Sequence, residues 1–331
     1  MNIAIVGATG LVGRTFLQIL DERNISIDRL YLYASKRSAG TVVTFQDQSY
    51  TVMETTTANI IDKDIDIALF SAGSTVSTTF ARDFVSIGAV VIDNSSAFRM
   101  DPQVPLVVPE VNPDDVLQHQ GIIANPNCST IQSVVPLTVV QHLWDIKRVD
   151  YTTYQAVSGS GQQGIDDFDR TAEGESPQLY PYPIYNNVIP QIDRFESTNF
   201  TFEEHKMIQE TQKILHKPDL AVSATCVRVP VKHAHSVSMI IELIKEPDLE
   251  RLREQLHATP GIEVIDDPEQ QQYPMPLFAA NQDAIVVGRI RKDLYNPCLL
   301  HMFCSADNIR KGAALNAIQI LEVVDKKILR K

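Results

Sequence analysis

A short apolar run, NIAIV at 2–6, is followed at once by the glycine-rich GATGLVG at 7–13. RTFLQILDER comes next, with apolar residues recurring at helical spacing. Strand, glycine turn and helix in that order leave few folds open, because the helix must pack back onto a sheet whose strands run parallel. Each glycine has a mechanical use in this setting. Gly7 permits the tight turn, Gly10 a close backbone approach to a pyrophosphate, and Gly13 close helix–strand packing. The free amides at the positive end of the helix would hold the pyrophosphate. The spacing is GxxGxxG rather than GxGxxG, and the alternative is a plain glycine-containing βα turn.

The rhythm continues. RLYLY at 29–33, IDIALF at 65–70, AVVID at 89–93 and IIAN at 122–125 are strand candidates, with a helix over 76–87. This predicts a doubly wound, Rossmann-type parallel sheet. Beyond about residue 150 the texture changes. YTTYQAVSG, AVSATCVRVPV, SVSMIIELI, AIVVGRIR and CLLHMFCS are longer strand candidates with fewer helices between them, and helices are expected near 161–173, 203–215 and 248–257. A second, α+β domain on a mostly antiparallel sheet is expected there. YPYPIYNNVIPQ at 180–191 reads as an ordered loop, and a last helix is expected over 307–325. A chain of 331 residues has room for two such domains.

Composition narrows the function classes. The net charge of −12 and the lack of a long Lys/Arg run argue against a nucleic-acid surface. No stretch approaches the roughly 18–20 apolar residues that cross a bilayer. The N-terminus lacks a basic n-region, so no signal peptide is expected. Cysteines 128, 226, 298 and 304 show neither CxxC spacing nor a small-domain framework, which fits a reducing cytoplasm.

Which dinucleotide the glycine loop would hold depends on the end of the second strand. An NAD site usually carries a carboxylate about 20 residues after the loop. YASKRSAG at 33–40 has none and offers Lys36, Arg37 and Ser38 instead. Cations and hydroxyls suit a 2′-phosphate, which favours NADP over the alternative of a solvated basic loop.

Cys128 lies in ANPNCSTIQS, between a Pro-Asn turn and an apolar-periodic helix start, with Pro136 as a kink further on. A helix N-terminus favours the thiolate, and its amides can stabilise an oxyanion on an acyl group attached to the sulfur. A small residue at a tight turn is the alternative. Cys226 and Cys304, inside apolar strands, read as core. A nucleophilic cysteine beside a hydride carrier suggests thiohemiacetal and thioester chemistry, with phosphate releasing an acyl phosphate. Such chemistry needs a base, and His233 and His235 in VPVKHAHSVS would share a strand face. They lack a Cys, Asp or Glu at ligand spacing, so no metal site is expected. Arg228 in CVRVPV needs a partner, either a bound carboxylate or a structural ion pair. Arg99 follows NSSAF on a loop after a strand end, where ligands gather. Glu203 and Lys206 share a helix face.

With these residues in view, the chain resembles the aspartate-β-semialdehyde dehydrogenases nearly end to end. GATGLVG, SKRSAG, DNSSAFRM, VVPEVN, NPNCST, YQAVSGSG, EEHKMIQETQKIL, CVRVPV and DNIRKGAALNAIQ carry the resemblance. It implies that Cys128 is the thioester nucleophile, Gln155 its substrate-orienting partner and His235 the general acid/base. It implies further that Arg228 binds the substrate α-carboxylate, Glu203 the α-amino group, and Arg99 and Lys206 the phosphate. The NADP contacts would be Gly7, Thr9, Gly10, Leu11, Val12, Gly13, Arg37, Ser38, Ser71, Ser158, Gly159 and Asn308. Residues 1–127 and 306–331 would form the NADP-binding domain, and 128–305 the catalytic and dimerisation domain of a cytoplasmic homodimer, or a tetramer. The implied reaction is NADPH-dependent conversion of L-aspartyl 4-phosphate to L-aspartate 4-semialdehyde, on the route to lysine, threonine and methionine. N-acetyl-glutamyl-phosphate reductase and an inactive dinucleotide-binding homologue are the rivals. Two departures stand out: AHSV at 234–237 where the family often has GHSE, and VSGSGQQG where VSGAG is common.

Overall fold

The computed structural model describes residues 1–329 of the chain, which forms two compact units. The first runs from Met1 to Pro126 and resumes at Ala313; the second is Asn127–Gly312. The sequence reading drew these borders at 127/128 and 305/306. Two local causes account for the difference. Asn127 bonds to Glu203 and Glu210, and Asp307 accepts from the amide of Asn281, all within the second unit. The last two residues of the expected 306–331 segment lie outside the described residues.

In the first unit β1 (Asn2–Val6), α1 (Leu11–Glu22) and β2 (Arg29–Ala34) form the opening βαβ unit. A hairpin that the sequence reading lacked, β3 (Val42–Phe45) and β4 (Gln48–Thr51), follows. Its two turn residues, Gln46 and Asp47, have φ of 47° and 60°, as a tight right-twisted hairpin requires. Then come β5 (Met53–Glu54), α2 (Thr57–Ile60), β6 (Ile67–Phe70), α3 (Ser74–Ser86), β7 (Val90–Asp93) and β8 (Ile122–Ala124). The sheet has the order β5-β2-β1-β6-β7-β8 and every pairing in it is parallel. β6 and β7 are buried throughout, which explains their unbroken apolar sequence.

The second unit opens with α4 (Cys128–Leu143), which runs through Pro136 and is buried at every residue from Ser129 to Val140. An apolar surface on all sides suits such a central helix. β9 (Ile146–Gln155), α5 (Gln162–Ala172), α6 (Phe202–Ile214), β10 (Ala221–Arg228) and β11 (His235–Leu243) follow. The unit ends with α7 (Leu249–Ala258), β12 (Ile262–Val264), α8 (Pro276–Ala279), β13 (Ile285–Lys292) and β14 (Leu299–Ala306). The sheet order is β10-β9-β11-β14-β13-β12. Its three central pairings are antiparallel, and the edge pairs β10/β9 and β12/β13 are parallel.

Several boundaries differ from the sequence reading. The strand expected at 151–159 begins at Ile146 and stops at Gln155; residues Val157–Ser160 form a tight helical turn, anchored by the Val157 amide on the Val231 carbonyl. His233 and His235 do not share a strand, because β11 starts at His235 and Ala234, with φ 69°, breaks the extended chain between them. The last helix is regular only as α9 (Leu315–Val324), with wider π-type turns at Arg310–Ala314 and Asp325–Leu329. The Asp307 carboxylate captures the amides of Ile309 and Arg310, which delays the regular helix. α9 contributes Leu315, Ile318 and Leu321 to the core of the first unit, beside Phe16 and Leu20 of α1. No helix among the described residues is long and apolar enough to cross a membrane.

Candidate active site

In the first unit the glycine loop behaves as its sequence suggests. Gly7 has φ +91° and lies against Ser71, and a Cβ on Gly13 would overlap the Gly7 carbonyl oxygen. Only a glycine lets α1 come this close to the loop. Gly10 is the N-cap and supplies no side-chain acceptor, and the first turn holds no acidic residue. The amides around Leu11, Val12 and Gly13 therefore present an uncapped positive helix end, which fits a pyrophosphate. Thr9 is half-buried beside them. Arg37 is exposed and Ser38 half-buried on the turn that follows β2.

Arg99 belongs to the same unit. Its loop is keyed by Asp93, whose buried carboxylate accepts from Ser77 Oγ at 2.7 Å and from Ser95 Oγ at 2.7 Å. Burial raises the Asp93 carboxyl pKa, and these hydrogen bonds oppose the rise. Arg99 Nε donates to the Asn125 carbonyl at 2.9 Å and Nη2 to that of Asn94 at 3.0 Å.

The second unit gathers most of the remaining residues through its strand directions. β9 and β10 are parallel and both end here, with Gln155 opposite Arg228. β11 is antiparallel to β9 and begins here, at His235, while β14, antiparallel to β11, ends here with Ala306 opposite His235. One end of four neighbouring strands therefore carries Gln155, Arg228, His235 and, just beyond β14, Asn308. Asn308 Nδ2 donates to Ser158 Oγ at 3.0 Å and its Oδ1 accepts the Ala234 amide at 3.0 Å, so Ser158 and Asn308 lie together beside the histidine.

Cys128 is the first residue of α4, and Asn127 caps the helix. Asn127 Oδ1 accepts from the amides of Ser129 and Thr130 at 2.9 and 3.4 Å. The same residue reaches the expected substrate site: its Nδ2 donates to Glu203 Oε1 at 2.8 Å and its amide to Glu210 Oε2 at 2.6 Å. Gln132, one turn after Cys128, donates to the His235 carbonyl at 3.3 Å and ties the helix mouth to the start of β11. The other cysteines differ in kind. Cys226 and Cys304 are buried in strands, and burial pushes both thiols up, Cys304 to about 12.

His235 is fully buried, and its Nδ1 accepts the Ala156 amide at 2.9 Å. A backbone amide can only donate, so Nδ1 carries no proton and the neutral ring carries its proton on Nε2. Burial, then the Arg228 guanidinium, pushes the imidazole down to about 3. Nε2 is buried without a hydrogen-bond partner, and so is Arg228 Nε. Arg228 Nη1 donates to the Ala156 carbonyl at 2.7 Å, and no ion pair to this arginine occurs among the described residues. Two buried donors left open in one unit are costly unless a ligand takes them. Gly159 lies against both side chains, since a Cβ there would stand 2.9 Å from Arg228 Nη1 and 3.1 Å from His235 Nε2.

Glu203, on the first turn of α6, accepts from Asn127 Nδ2 and Gln155 Nε2 on Oε1 and from Lys206 Nζ on Oε2. Burial alone would raise its carboxyl. The Lys206 ammonium and the hydrogen bonds from Asn127, Lys206 and Gln155 outweigh that and hold it at about 2, so it is a buried carboxylate anion. Gln155, Glu203, Lys206, Arg228, His235, Ser158, Gly159 and Asn308 thus belong with Cys128 to one unit, while Arg99, Arg37, Ser38, Ser71 and the glycine loop belong to the other.

Sequence reasoning missed Asn127 and Gly312. Asn127 had a signal, an Asn directly before a helix start. Gly312 had none. It lies between Lys311 and Ala313 in an apparently helical stretch, yet a Cβ on it would stand 2.8 Å from the Cβ of Cys128.

Residues 2–119 match the family model "Semialdehyde dehydrogenase, NAD binding domain", and residues 137–311 match "Semialdehyde dehydrogenase, dimerisation domain". The chain is 52% identical to the aspartate-semialdehyde dehydrogenase of Aquifex aeolicus, over 98% of each chain. It is 47% identical to that of Bacillus subtilis, again over 98% of each. Among solved structures, aspartate semialdehyde dehydrogenase II of Vibrio cholerae, complexed with ASA, superposes with a TM-score of 0.93 at 40% identity, covering 99% of this chain and 98% of that one.

Proposed function

Because the chain belongs to the aspartate-semialdehyde dehydrogenase family, we propose that it is an oxidoreductase of amino-acid biosynthesis that reduces L-aspartyl 4-phosphate to L-aspartate 4-semialdehyde. The observation that carries the reading is the pair of open buried donors, His235 Nε2 and Arg228 Nε, in the unit whose helix mouth bears Cys128.

Each residue's role follows from its chemistry. Cys128 attacks the acyl carbon as its thiolate, the C–O bond to phosphate breaks, and a thioester forms; a hydride added to the thioester carbon would then break the C–S bond, releasing the semialdehyde and restoring the thiolate. Arg228 takes the α-carboxylate, because its guanidinium is buried and has no internal carboxylate partner. Glu203 takes the α-ammonium as a permanently ionised carboxylate, which suits a free amino group and not the N-acetyl group of the rival reductase. Gln155 orients the bound substrate against Glu203. Lys206 takes the phosphate. His235 Nε2–H donates to the carbonyl oxygen as that atom gains charge, on attack and again on reduction. A bound dinucleotide supplies the hydride.

We assign the dinucleotide to the first unit, on Gly7, Thr9, Gly10, Leu11, Val12, Gly13 and Ser71. NADP is favoured over NAD by Arg37 and Ser38 and by the absence of a carboxylate in YASKRSAG. The second unit would also form a homodimer, or a tetramer built from it, in the cytoplasm.

A reverse assay tests the reading. Aspartate semialdehyde, phosphate and NADP should give reduced cofactor at 340 nm with wild-type protein, with NAD a poor substitute. Cys128→Ala should give none. Normal turnover by that variant overturns the thioester route, and silence from folded wild-type protein with both cofactors overturns the activity.

A further inference from the structure

Lys206 is surrounded by the wrong charges for an anion site. Its Nζ donates to Glu203 Oε2 at 3.0 Å and to Asp193 Oδ2 at 3.1 Å, and lies 4.6 Å from the centre of the Phe202 ring. A cation held between two carboxylates has its charge largely neutralised and presents little positive field to an arriving phosphate, even though Arg194 also meets Asp193, at 3.9 Å. The same contact takes one of the two acceptor positions of Glu203 Oε2, and Asn127 and Gln155 already fill Oε1, so an arriving substrate ammonium would have to share Oε2 with a like charge. The two groups assigned to opposite ends of the ligand pair are therefore spent on each other. The group resting on Oε2 is itself a primary ammonium, the group that an amino acid would bring.

We propose that Lys206 is an internal stand-in for the substrate's α-ammonium, and that exchange of this ion pair makes phosphate and the amino-acid substrate bind cooperatively. The inference rests on the roles given above to Glu203 and Lys206. Phosphate draws Nζ away from Glu203 and leaves a buried carboxylate without a counter-ion, which the substrate ammonium then satisfies. The amino acid arriving first displaces Nζ and frees it for phosphate. Whichever ligand binds first bears the cost of opening the pair, and linkage makes the effect equal in both directions. Asp193 competes with phosphate for the same Nζ and so weakens phosphate binding when it acts alone.

The test is calorimetric titration of the full chain with aspartate semialdehyde, without dinucleotide so that no turnover occurs. It is run with no phosphate and with saturating inorganic phosphate, at matched ionic strength. In wild type, phosphate should tighten semialdehyde binding about fivefold or more, within the usual range of coupling between sites. Lys206→Gln should bind the semialdehyde more tightly than wild type in the absence of phosphate, and phosphate should no longer matter. Lys206→Arg, which keeps an ion pair, should keep the coupling. Asp193→Asn should bind phosphate alone more tightly. Phosphate-independent affinity in wild type, or coupling that survives in Lys206→Gln, overturns the proposal. A failure of the underlying roles looks different: Glu203→Gln would then bind the semialdehyde as wild type does.

Discussion

Gly312 backs directly onto Cys128. A Cβ on Gly312 would come to 2.8 Å from the Cβ and 3.2 Å from the Cα of Cys128. Those are atoms next to the backbone at the capped start of a buried helix, so they cannot swing aside as the tip of a long side chain would. Gly312→Ala should therefore displace the sulfur while leaving most of the second unit intact. A displacement approaching 1 Å lowers turnover on the order of a hundredfold. Circular dichroism and steady-state rates on the same preparation check this; full activity in a folded variant would show that the close approach is not needed.

Asn127 joins the helix cap to the Glu203 carboxylate, and two substitutions separate these duties. Asn127→Ala removes the cap and leaves buried amides and a carboxylate oxygen short of a partner, costing about 1 kcal/mol for the cap alone. Asn127→Asp keeps the cap acceptor but points a second carboxylate at Glu203. It should hold most of the thermal midpoint while raising the KM for aspartate semialdehyde. Equal loss of both properties in the two variants would contradict this division.

His235 gives the protein an acid-sensitive term. Its folded pKa lies near 3, against 6.5 for an ordinary imidazole. Between those values the unfolded chain binds the extra proton and the folded one does not, so stability is lost as pH falls from 6.5 towards 3. Glu203, held at about 2 against 4.5, adds a loss in the same direction at lower pH. Urea midpoints measured down that range should fall for wild type from the start. They should stay flatter for His235→Gln until the carboxylates begin to protonate. Parallel curves between pH 6.5 and 5 would remove the buried neutral histidine as the cause.

Arg37→Ala tests the cofactor preference. Losing a charge-assisted hydrogen bond to a 2′-phosphate costs about 1.5–3 kcal/mol, so the KM for NADP should rise roughly tenfold or more. The KM for NAD should stay where it was. Equal changes for both cofactors would mean that Arg37 does not meet the 2′-phosphate.

The first unit was legible because its signals are local. A strand, a glycine turn and a helix are contiguous in GATGLVG and its flanks, and four later apolar runs repeat the parallel-strand signature. The β3–β4 hairpin went unseen because its turn, Gln46–Asp47, lacks the glycine that usually marks such a turn. In the second unit the five long strands and a mostly antiparallel sheet were expected from sequence, but the short β12 was missed and no reading said which strands would pair. An apolar alternating strand reads the same whether its neighbour is parallel, as at β9/β10, or antiparallel, as at β9/β11.

The amino-acid sequence by itself determined the class of chemistry. A cysteine at a helix start, a glycine loop without a downstream carboxylate, and residue types suited to anions and ammonium groups are all visible in one dimension. What only the tertiary structure decided is how those groups are charged and what they touch. The tautomer of His235 depends on the amide of Ala156, far away in the chain. The ionisation of Glu203 depends on donors from the cap of α4, from β9 and from its own helix. The room beside Cys128 depends on Gly312, from the other end of the unit. Desolvation, hydrogen bonding and steric exclusion act between atoms within a few ångströms, and only the fold determines which residues come that close.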